Sequence, residues 1–291
     1  MLEGAYTAIV TPFDGGRISW KRLEEQIEYQ VTNGCGLVPC GTTGENPTMT
    51  EQEHMDVVRF VCDRVRGRAV VIAGAGSNCT ETAVMLARHA AECGADAALS
   101  ITPYYNKPSQ DGLVAHFGAV ASASPIPIVV YNVPGRTGCD ILPATMARLV
   151  EAHPTIVAIK EATGNVARAN QLLERVPKLE ILSGEDGIVW PLIAAGAKGV
   201  ISVVSNVVPR AMADLVKYGL AGDFARARAQ HQRLFPLCEA MFLDTNPGPV
   251  KAALRMLGLD NGELRLPLVP PSAEVQQRIR AELVRFGLSP A

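Results

Sequence analysis

The sequence has no surplus of positive charge and no long apolar run. Its 27 lysines and arginines are matched by 29 aspartates and glutamates, so no basic field is available to hold a phosphate backbone, and nucleic acid is not expected as a partner. No apolar stretch reaches the ~20 residues needed to cross a bilayer, and the first ten residues lack the basic start of a signal peptide. These absences predict a soluble, cytoplasmic protein without a membrane partner.

Paired cysteines and strand-end histidines are also missing. The seven cysteines are odd in number and none lies in a Cys-x-x-Cys motif, which argues against a disulfide framework and against a zinc site. The five histidines lie on or just after segments of helical periodicity, so a histidine-activated nucleophile has little support. Gly74-Ala75-Gly76 is followed by Cys79 where a dinucleotide fingerprint needs its third glycine.

The sequence does contain a regular alternation of short β-branched, apolar runs with amphipathic segments of helix length. Such alternation is typical of βα units around a parallel sheet. Eight units over roughly 220 residues favour a closed (β/α)8 TIM barrel over an open doubly wound sheet, the alternative, because the repeat does not break. The strands are predicted at residues 7–10, 36–40, 70–74, 97–102, 128–132, 156–161, 180–183 and 199–203.

Helices are predicted between these strands by apolar residues at three- and four-residue spacing. In one of them Val58, Val61 and Val65 recur at that spacing, and Thr50 with Glu53 has the pattern of a capping box. The helical pattern then continues past the eighth unit without further strand signals. We therefore divide the chain into a catalytic barrel, residues 1–222, and a C-terminal helical appendage, residues 223–291, packed against it.

Active sites of such barrels lie at the C-terminal ends of the strands, which directs attention to Lys160. Of the seven lysines, it alone ends a continuous apolar run, residues 155–159. Burial there would disfavour the ammonium, lower the lysine pKa and leave a neutral amine able to attack a carbonyl. Position alone leaves open a structural alternative, an ion pair with Glu161.

Three other predicted strand ends carry polar groups. Tyr131 closes the fifth strand and Arg136 follows on its loop, where a phenol can move protons and a guanidinium can bind a carboxylate. The alternatives are a core tyrosine and a solvated arginine. The second strand ends in Thr42-Thr43, either an ordinary turn or a place where a small carboxylate meets hydroxyls and backbone N–H groups. The fourth is followed by Tyr104-Tyr105, which also suits interface packing.

In this order, these segments resemble the dihydrodipicolinate synthase family, also called the 4-hydroxy-tetrahydrodipicolinate synthases, of the class I pyruvate-dependent aldolase and lyase superfamily. The similarity runs nearly end to end. Its segments are 8–13, 41–45, 102–106, 131–138, 160–164, 184–186, and Asn246-Pro247 with Pro249 and Lys251.

The resemblance implies a lyase that condenses pyruvate with L-aspartate 4-semialdehyde to 4-hydroxy-tetrahydrodipicolinate, in lysine and diaminopimelate biosynthesis, without a cofactor. Lys160 would form an imine with pyruvate. Tyr131 would donate and accept protons, with Thr43 and Tyr105 completing a proton relay and Thr42 beside them. Phenol and hydroxyl chains are able to shuttle these protons without a metal.

The resemblance also implies the substrate contacts. Backbone groups at Thr42, Thr43 and Ile201 would hold the pyruvate end. Arg136 would bind the carboxylate of the semialdehyde, and Gly184 is expected to contact substrate as well.

In the family, the tyrosine matching Tyr105 enters the neighbouring subunit's site, which implies a tight dimer paired again into a homotetramer. Asn78, Tyr104 and His54 match residues around a regulatory lysine pocket at that interface. Thr82 stands where feedback-sensitive relatives have a glutamate that pairs with the inhibitor's amino group. We therefore expect weak inhibition by lysine.

Two alternatives are a related enzyme of the same superfamily and a protein of another class. The related sugar-acid lyases, such as N-acetylneuraminate lyase and the 2-keto-3-deoxy-sugar-acid aldolases, share the lysine and the first tyrosine. Arg136 resembles the synthase pattern and favours the semialdehyde as acceptor. A non-catalytic ligand-binding barrel is the second alternative, and the presence of Lys160, Tyr131, Thr43 and Tyr105 argues against it.

Overall fold

The computed structural model describes residues 2–291, and its strands confirm the (β/α)8 barrel. Eight strands are parallel and form one sheet, while two short strands form a separate antiparallel hairpin, β2 with β3. The strands are β1 (Gly4–Ala8), β2 (Phe13–Asp14), β3 (Arg17–Ile18), β4 (Gly36–Val38), β5 (Ile72–Gly74), β6 (Ala97–Ile101), β7 (Ile128–Asn132), β8 (Ile156–Glu161), β9 (Glu180–Ser183) and β10 (Gly199–Ser202).

The barrel closes because the two ends of the sheet meet. Neighbouring strands follow the order β4-β1-β10-β9-β8-β7-β6-β5, and a parallel bridge between Leu37 and Val71 joins β4 to the start of β5. The strands pack most tightly where β1 meets β10. A Cβ atom on Gly199 would lie 1.9 Å from the carbonyl oxygen of Gly4, so only glycine permits that approach.

Helices surround the barrel and extend beyond it. The Thr50 capping box is confirmed, since the Glu53 amide donates to the Thr50 hydroxyl and the Thr50 amide donates to the Glu53 carboxylate. The helices are α1 (Trp20–Thr32), α2 (Glu51–Val65), α3 (Thr80–Glu92), α4 (Gln110–Ala123), α5 (Pro134–Thr137), α6 (Pro143–Ala152), α7 (Val166–Arg175), α8 (Val189–Ala194), α9 (Pro209–Leu220), α10 (Phe224–Ala240), α11 (Gly248–Met256) and α12 (Ala273–Phe286).

Helices α10 to α12 form the C-terminal helical extension. Leu237, Leu254 and Leu283, one from each helix, share a buried cluster with Val200 of β10 and with Val204, which follows that strand. The extension therefore packs on the barrel through a common core. We propose that the boundary between the barrel and the helical extension lies between residues 222 and 223. Within residues 2–291, no helix is long and apolar enough to cross a membrane.

Candidate active site

Lys160 lies at the end of β8 with its side chain buried and its Nζ atom 4.2 Å from the centre of the Tyr131 ring. Of the lysines in residues 2–291, only Lys251 makes an ion pair within 4.0 Å. The alternative partner, Glu161, accepts instead from the Asn132 amide at 3.2 Å and from the Thr163 backbone N–H at 2.8 Å. Successive strand residues point to opposite faces, which separates Glu161 from Lys160.

Burial of Lys160 increases the fraction of its amine that is neutral. Burial lowers the lysine pKa to about 8, opposed by the negative charges of Asp186 and Glu185. A lysine with such a pKa carries a substantial fraction of free amine near neutral pH and can act as a nucleophile. The chemistry available here is attack on a carbonyl carbon.

Tyr131 faces this amine because β7 and β8 are paired in register, with Tyr131 opposite Lys160. Burial raises the pKa of Tyr131 to about 12, while the Arg136 charge and a hydrogen bond with Thr42 act in the opposite direction. The phenol therefore keeps its proton at neutral pH and is placed to donate it.

The turn after β4 separates its two threonines. Residues Thr42–Gly44 form a short 3-10 turn, and Thr42 lines the same cavity as Tyr131. Thr43 is buried, and its hydroxyl accepts a hydrogen bond of 3.0 Å from the Asn246 amide. The expected relay joined Thr43 to Tyr131, and of these two threonines it is Thr42 that lines the cavity with Tyr131. Adjacent residues of a 3-10 turn point about 120° apart, so only one of the pair faces the phenol.

The loop after β9 contains two acidic residues, Glu185 and Asp186, that were not predicted as site residues from the sequence. Asp186 is fully buried and accepts from the backbone N–H groups of Val203 and Val204, at 2.9 Å each. Burial raises the pKa of Asp186 and of Glu185. Neither forms an ion pair with Lys160 within residues 2–291, although their charges act on it. Two consecutive acids after an apolar strand are the signal that could have marked them.

Gly184 and Ile201 lie in the same part of the barrel. Gly184 donates its backbone N–H to the Glu161 carbonyl at 2.7 Å, and a Cβ atom there would meet Ala162 Cβ at 2.5 Å. This close approach brings the ends of β8 and β9 together. Ile201 is buried on β10.

A cavity of about 280 Å³ opens beside the phenol, lined by Thr42, Tyr104, Tyr131 and Arg136 among others. Arg136 thus shares a cavity with Tyr131. Tyr105 lies outside this arrangement. Its backbone adopts a positive φ of 72°, and its side chain is 89% exposed.

The three residues matched to a regulatory pocket lie near one edge of this cavity. The Asn78 amide donates to the Tyr104 carbonyl at 3.2 Å. His54 is buried and its Nε2 atom hydrogen-bonds the Gly74 carbonyl at 2.7 Å, and Gly74 also lines the cavity. Burial lowers the pKa of His54. Among residues 2–291, no cluster of three or more histidine, cysteine or acidic side chains is placed to hold a metal ion.

A closed parallel barrel with surrounding helices places the chain in the class of (β/α)8 barrels. Within that class, the chain belongs to the dihydrodipicolinate synthetase family, whose model matches residues 1–285.

Proteins with names from this family are similar to the chain over almost its whole length. The 4-hydroxy-tetrahydrodipicolinate synthase of Nitratidesulfovibrio vulgaris strain DP4 is 52% identical over 98% of both chains. The chloride-inhibited dihydrodipicolinate synthase of Acinetobacter baumannii, solved in complex with pyruvate, is 40% identical with a TM-score of 0.97, over 99% of this chain and 100% of that one. The enzyme of Cyanidioschyzon merolae, solved with lysine bound, is 38% identical with a TM-score of 0.95, over 98% of both chains.

Proposed function

We propose that this protein condenses pyruvate with L-aspartate 4-semialdehyde to 4-hydroxy-tetrahydrodipicolinate through an imine on Lys160. The observation that carries the proposal is the unpaired, buried amine of Lys160, 4.2 Å from the ring of Tyr131. Relatives that carry the synthase name over the same length support it. The corresponding place in metabolism is the synthesis of diaminopimelate and lysine.

The first half of the reaction forms the imine. The neutral amine of Lys160 attacks the ketone carbon of pyruvate, a carbon–nitrogen bond forms, and the ketone oxygen leaves as water after receiving protons. Tyr131 donates to the departing oxygen, because its raised pKa keeps the phenol protonated. Loss of a proton from the pyruvate methyl group then gives an enamine.

The second half joins the two substrates. The enamine carbon attacks the aldehyde carbon of the semialdehyde, whose oxygen takes up a proton and becomes a hydroxyl. The amino group of the semialdehyde portion then attacks the imine carbon, closes the ring and releases Lys160 as a free amine. The atoms of both substrates, less one water, are retained in the product.

The remaining site residues take their roles from this reaction. Arg136 binds the carboxylate of the semialdehyde, which matches its position on the cavity wall beside Tyr131. Backbone groups of Thr42, Thr43 and Ile201 hold pyruvate, with Gly184 at the substrate as well. We place Thr42 next to Tyr131 in the proton relay, since the two residues line the same cavity.

Tyr105 completes this relay from a neighbouring subunit. Its ring is 89% exposed on the isolated chain, which is unusual for a large aromatic side chain and suits an interface residue. We therefore propose a tight dimer in which Tyr105 crosses to the partner's site, paired again into a homotetramer. A cytoplasmic location is proposed on the same family grounds.

Replacing Arg136 with alanine tests the assignment of the acceptor. We expect R136A still to form the pyruvate imine and to lose roughly a hundredfold in kcat/KM for the semialdehyde, because a bidentate contact to its carboxylate is removed. R136K is the matched control, since it keeps the positive charge but loses the planar guanidinium that can donate two parallel hydrogen bonds. Unchanged turnover of the semialdehyde by R136A, or turnover of sugar-acid substrates alone by the wild type, would contradict the proposal.

Weak feedback by lysine is the second testable property. Asn78, Tyr104 and His54 are present, but Thr82 replaces the acid that would pair with the amino group of the inhibitor. We expect activity to fall little on titration with lysine, and T82E to increase the sensitivity. Strong inhibition of the wild type would contradict this expectation.

A further inference from the structure

The C-terminal helical extension reaches the catalytic turn through a buried ion pair. Lys251 on α11 lies 2.5 Å from Glu45, and both side chains are fully buried. The ammonium also donates to the carbonyls of Thr11 and Glu263 at 2.7 Å each. The carboxylate and the two carbonyls give the ammonium three oxygen neighbours. Lys251 is thus held in one place and joins three segments of the chain.

This ion pair adjoins the turn that carries Thr42 and Thr43. Glu45 follows the turn directly and adopts a positive φ of 57°, a conformation that is costly for a non-glycine residue without support from its surroundings. The Thr11 hydroxyl donates to the Gly44 carbonyl at 2.8 Å. Lys251 therefore fixes both segments that hold the turn in place.

The extension also makes a direct contact with the turn. Asn246, just before α11, donates its side-chain amide to the Thr43 hydroxyl oxygen at 3.0 Å. An amide nitrogen only donates, whereas a hydroxyl has one hydrogen and two lone pairs. The Thr43 hydrogen is consequently left free to be donated elsewhere. The Asn246 side-chain oxygen is buried without a partner within residues 2–291.

We propose that Asn246 and Lys251 are positioning residues, through which the helical extension holds the Thr43 hydroxyl as a hydrogen-bond donor for bound pyruvate. Asn246 sets the direction of the hydroxyl, and the Lys251–Glu45 pair holds the turn against Asn246. The extension is then a working part of the active site. This inference rests on the proposed function, because it assigns Thr43 to the pyruvate of that reaction.

A double-mutant cycle between Asn246 and Thr43 tests the proposal. We expect N246A to lower kcat/KM for pyruvate about tenfold, the value of one well-placed hydrogen bond, and to have little further effect once T43V has removed the hydroxyl. N246D has the shape of the native side chain but only accepts when ionised. It should take the Thr43 hydrogen and lower kcat/KM at least as far as N246A.

Arg265 provides the matched control. It also comes from the extension, pairs with Glu53 at 2.6 Å, and lies 4.4 Å from the same Phe13 ring that Lys251 contacts. R265M weakens the attachment of the extension without touching Thr43. Its effect on kcat/KM should therefore add to that of T43V, which separates positioning of the hydroxyl from general stability.

The ion pair is tested by the neutral double variant E45Q/K251M, which avoids leaving one buried charge alone. Its loss in kcat/KM for pyruvate should shrink in the T43V background, as for N246A. Additive losses in both cycles, or full kcat/KM in N246D, overturn the inference while the wild type still forms its imine. A wild type that forms no imine overturns the proposed function and this inference together.

Discussion

Two buried lysines in this protein sit against aromatic rings at almost equal distances and differ in what else surrounds them. The Nζ atom of Lys160 is 4.2 Å from the centre of the Tyr131 ring, and that of Lys251 is 4.4 Å from the Phe13 ring. Lys251 has a carboxylate and two carbonyls as partners. Lys160 makes no ion pair among residues 2–291.

The difference shows that burial alone does not make a lysine a nucleophile. Burial lowers the pKa of both amines, and at Lys251 the carboxylate of Glu45 opposes this effect. Three oxygen atoms contact the Lys251 ammonium, which has no lone pair for attack on a carbonyl carbon. Lys160 lacks such acceptors and is free to attack a carbonyl carbon. One lysine links separate segments of the fold, and the other carries the proposed chemistry.

Removing the amine of Lys160 should give the largest effect on activity. We expect K160M to lose at least roughly ten-thousandfold in kcat, because the nucleophile of a covalent mechanism is absent. Steady-state assays with both substrates measure this loss. Catalysis within about tenfold of wild type in K160M would refute the imine mechanism.

The same variant should be more stable than the wild type. The folded pKa of Lys160 is about 8, below its ordinary value of 10.5. The unfolded chain therefore binds this proton more tightly, and at pH 7 the buried ammonium costs about 3 kcal/mol of folding free energy. The cost declines as pH rises from about 8 to 10.5. In denaturant unfolding at pH 7, K160M should have a larger free energy of unfolding than the wild type. This difference should decrease towards pH 10.

Lys251 should respond in the opposite way. K251M leaves the buried charge of Glu45 without its partner, so we expect a loss of about 3–5 kcal/mol in the free energy of unfolding. The neutral pair E45Q/K251M should recover part of that loss. If the free energy of unfolding of K251M at neutral pH equals or exceeds that of the wild type, the proposed difference between the two lysines is wrong.

The pH dependence of imine formation gives the smallest predicted effect. Because only the free amine attacks, the rate constant for imine formation at fixed pyruvate should rise about tenfold per pH unit well below the Lys160 pKa. The rise should level off above pH 8, the approximate value of that pKa. Rapid-mixing measurements between pH 6 and 9 test this. A rate independent of pH across that range would contradict a lysine pKa near 8.

The barrel could be predicted because local patterns carry it. The predicted limits of β7, β8 and β9 match the structure, since continuous apolar runs mark strands buried on both faces. The hairpin of β2 and β3 was missed because strands of two residues carry no alternation. Its turn contains Gly15 and Gly16 at positive φ, which was the available signal.

The site was predictable only in part. Lys160 and Tyr131 each end an apolar strand, so position in sequence was enough to select them. The Asn246–Thr43 contact joins residues 203 positions apart, so no local sequence pattern predicts it. Lys251 was passed over because it lies in a helix, although α11 is buried on nearly every side. A helix apolar all round should have suggested that its one lysine is buried.

Reduction with borohydride in the presence of pyruvate, followed by mass mapping of every lysine-containing peptide, tests the central claim most directly. We predict a single pyruvate adduct, on Lys160, with Lys251 unmodified in the folded protein. An adduct on Lys251 or on any lysine other than Lys160, or no adduct at all, would contradict the account.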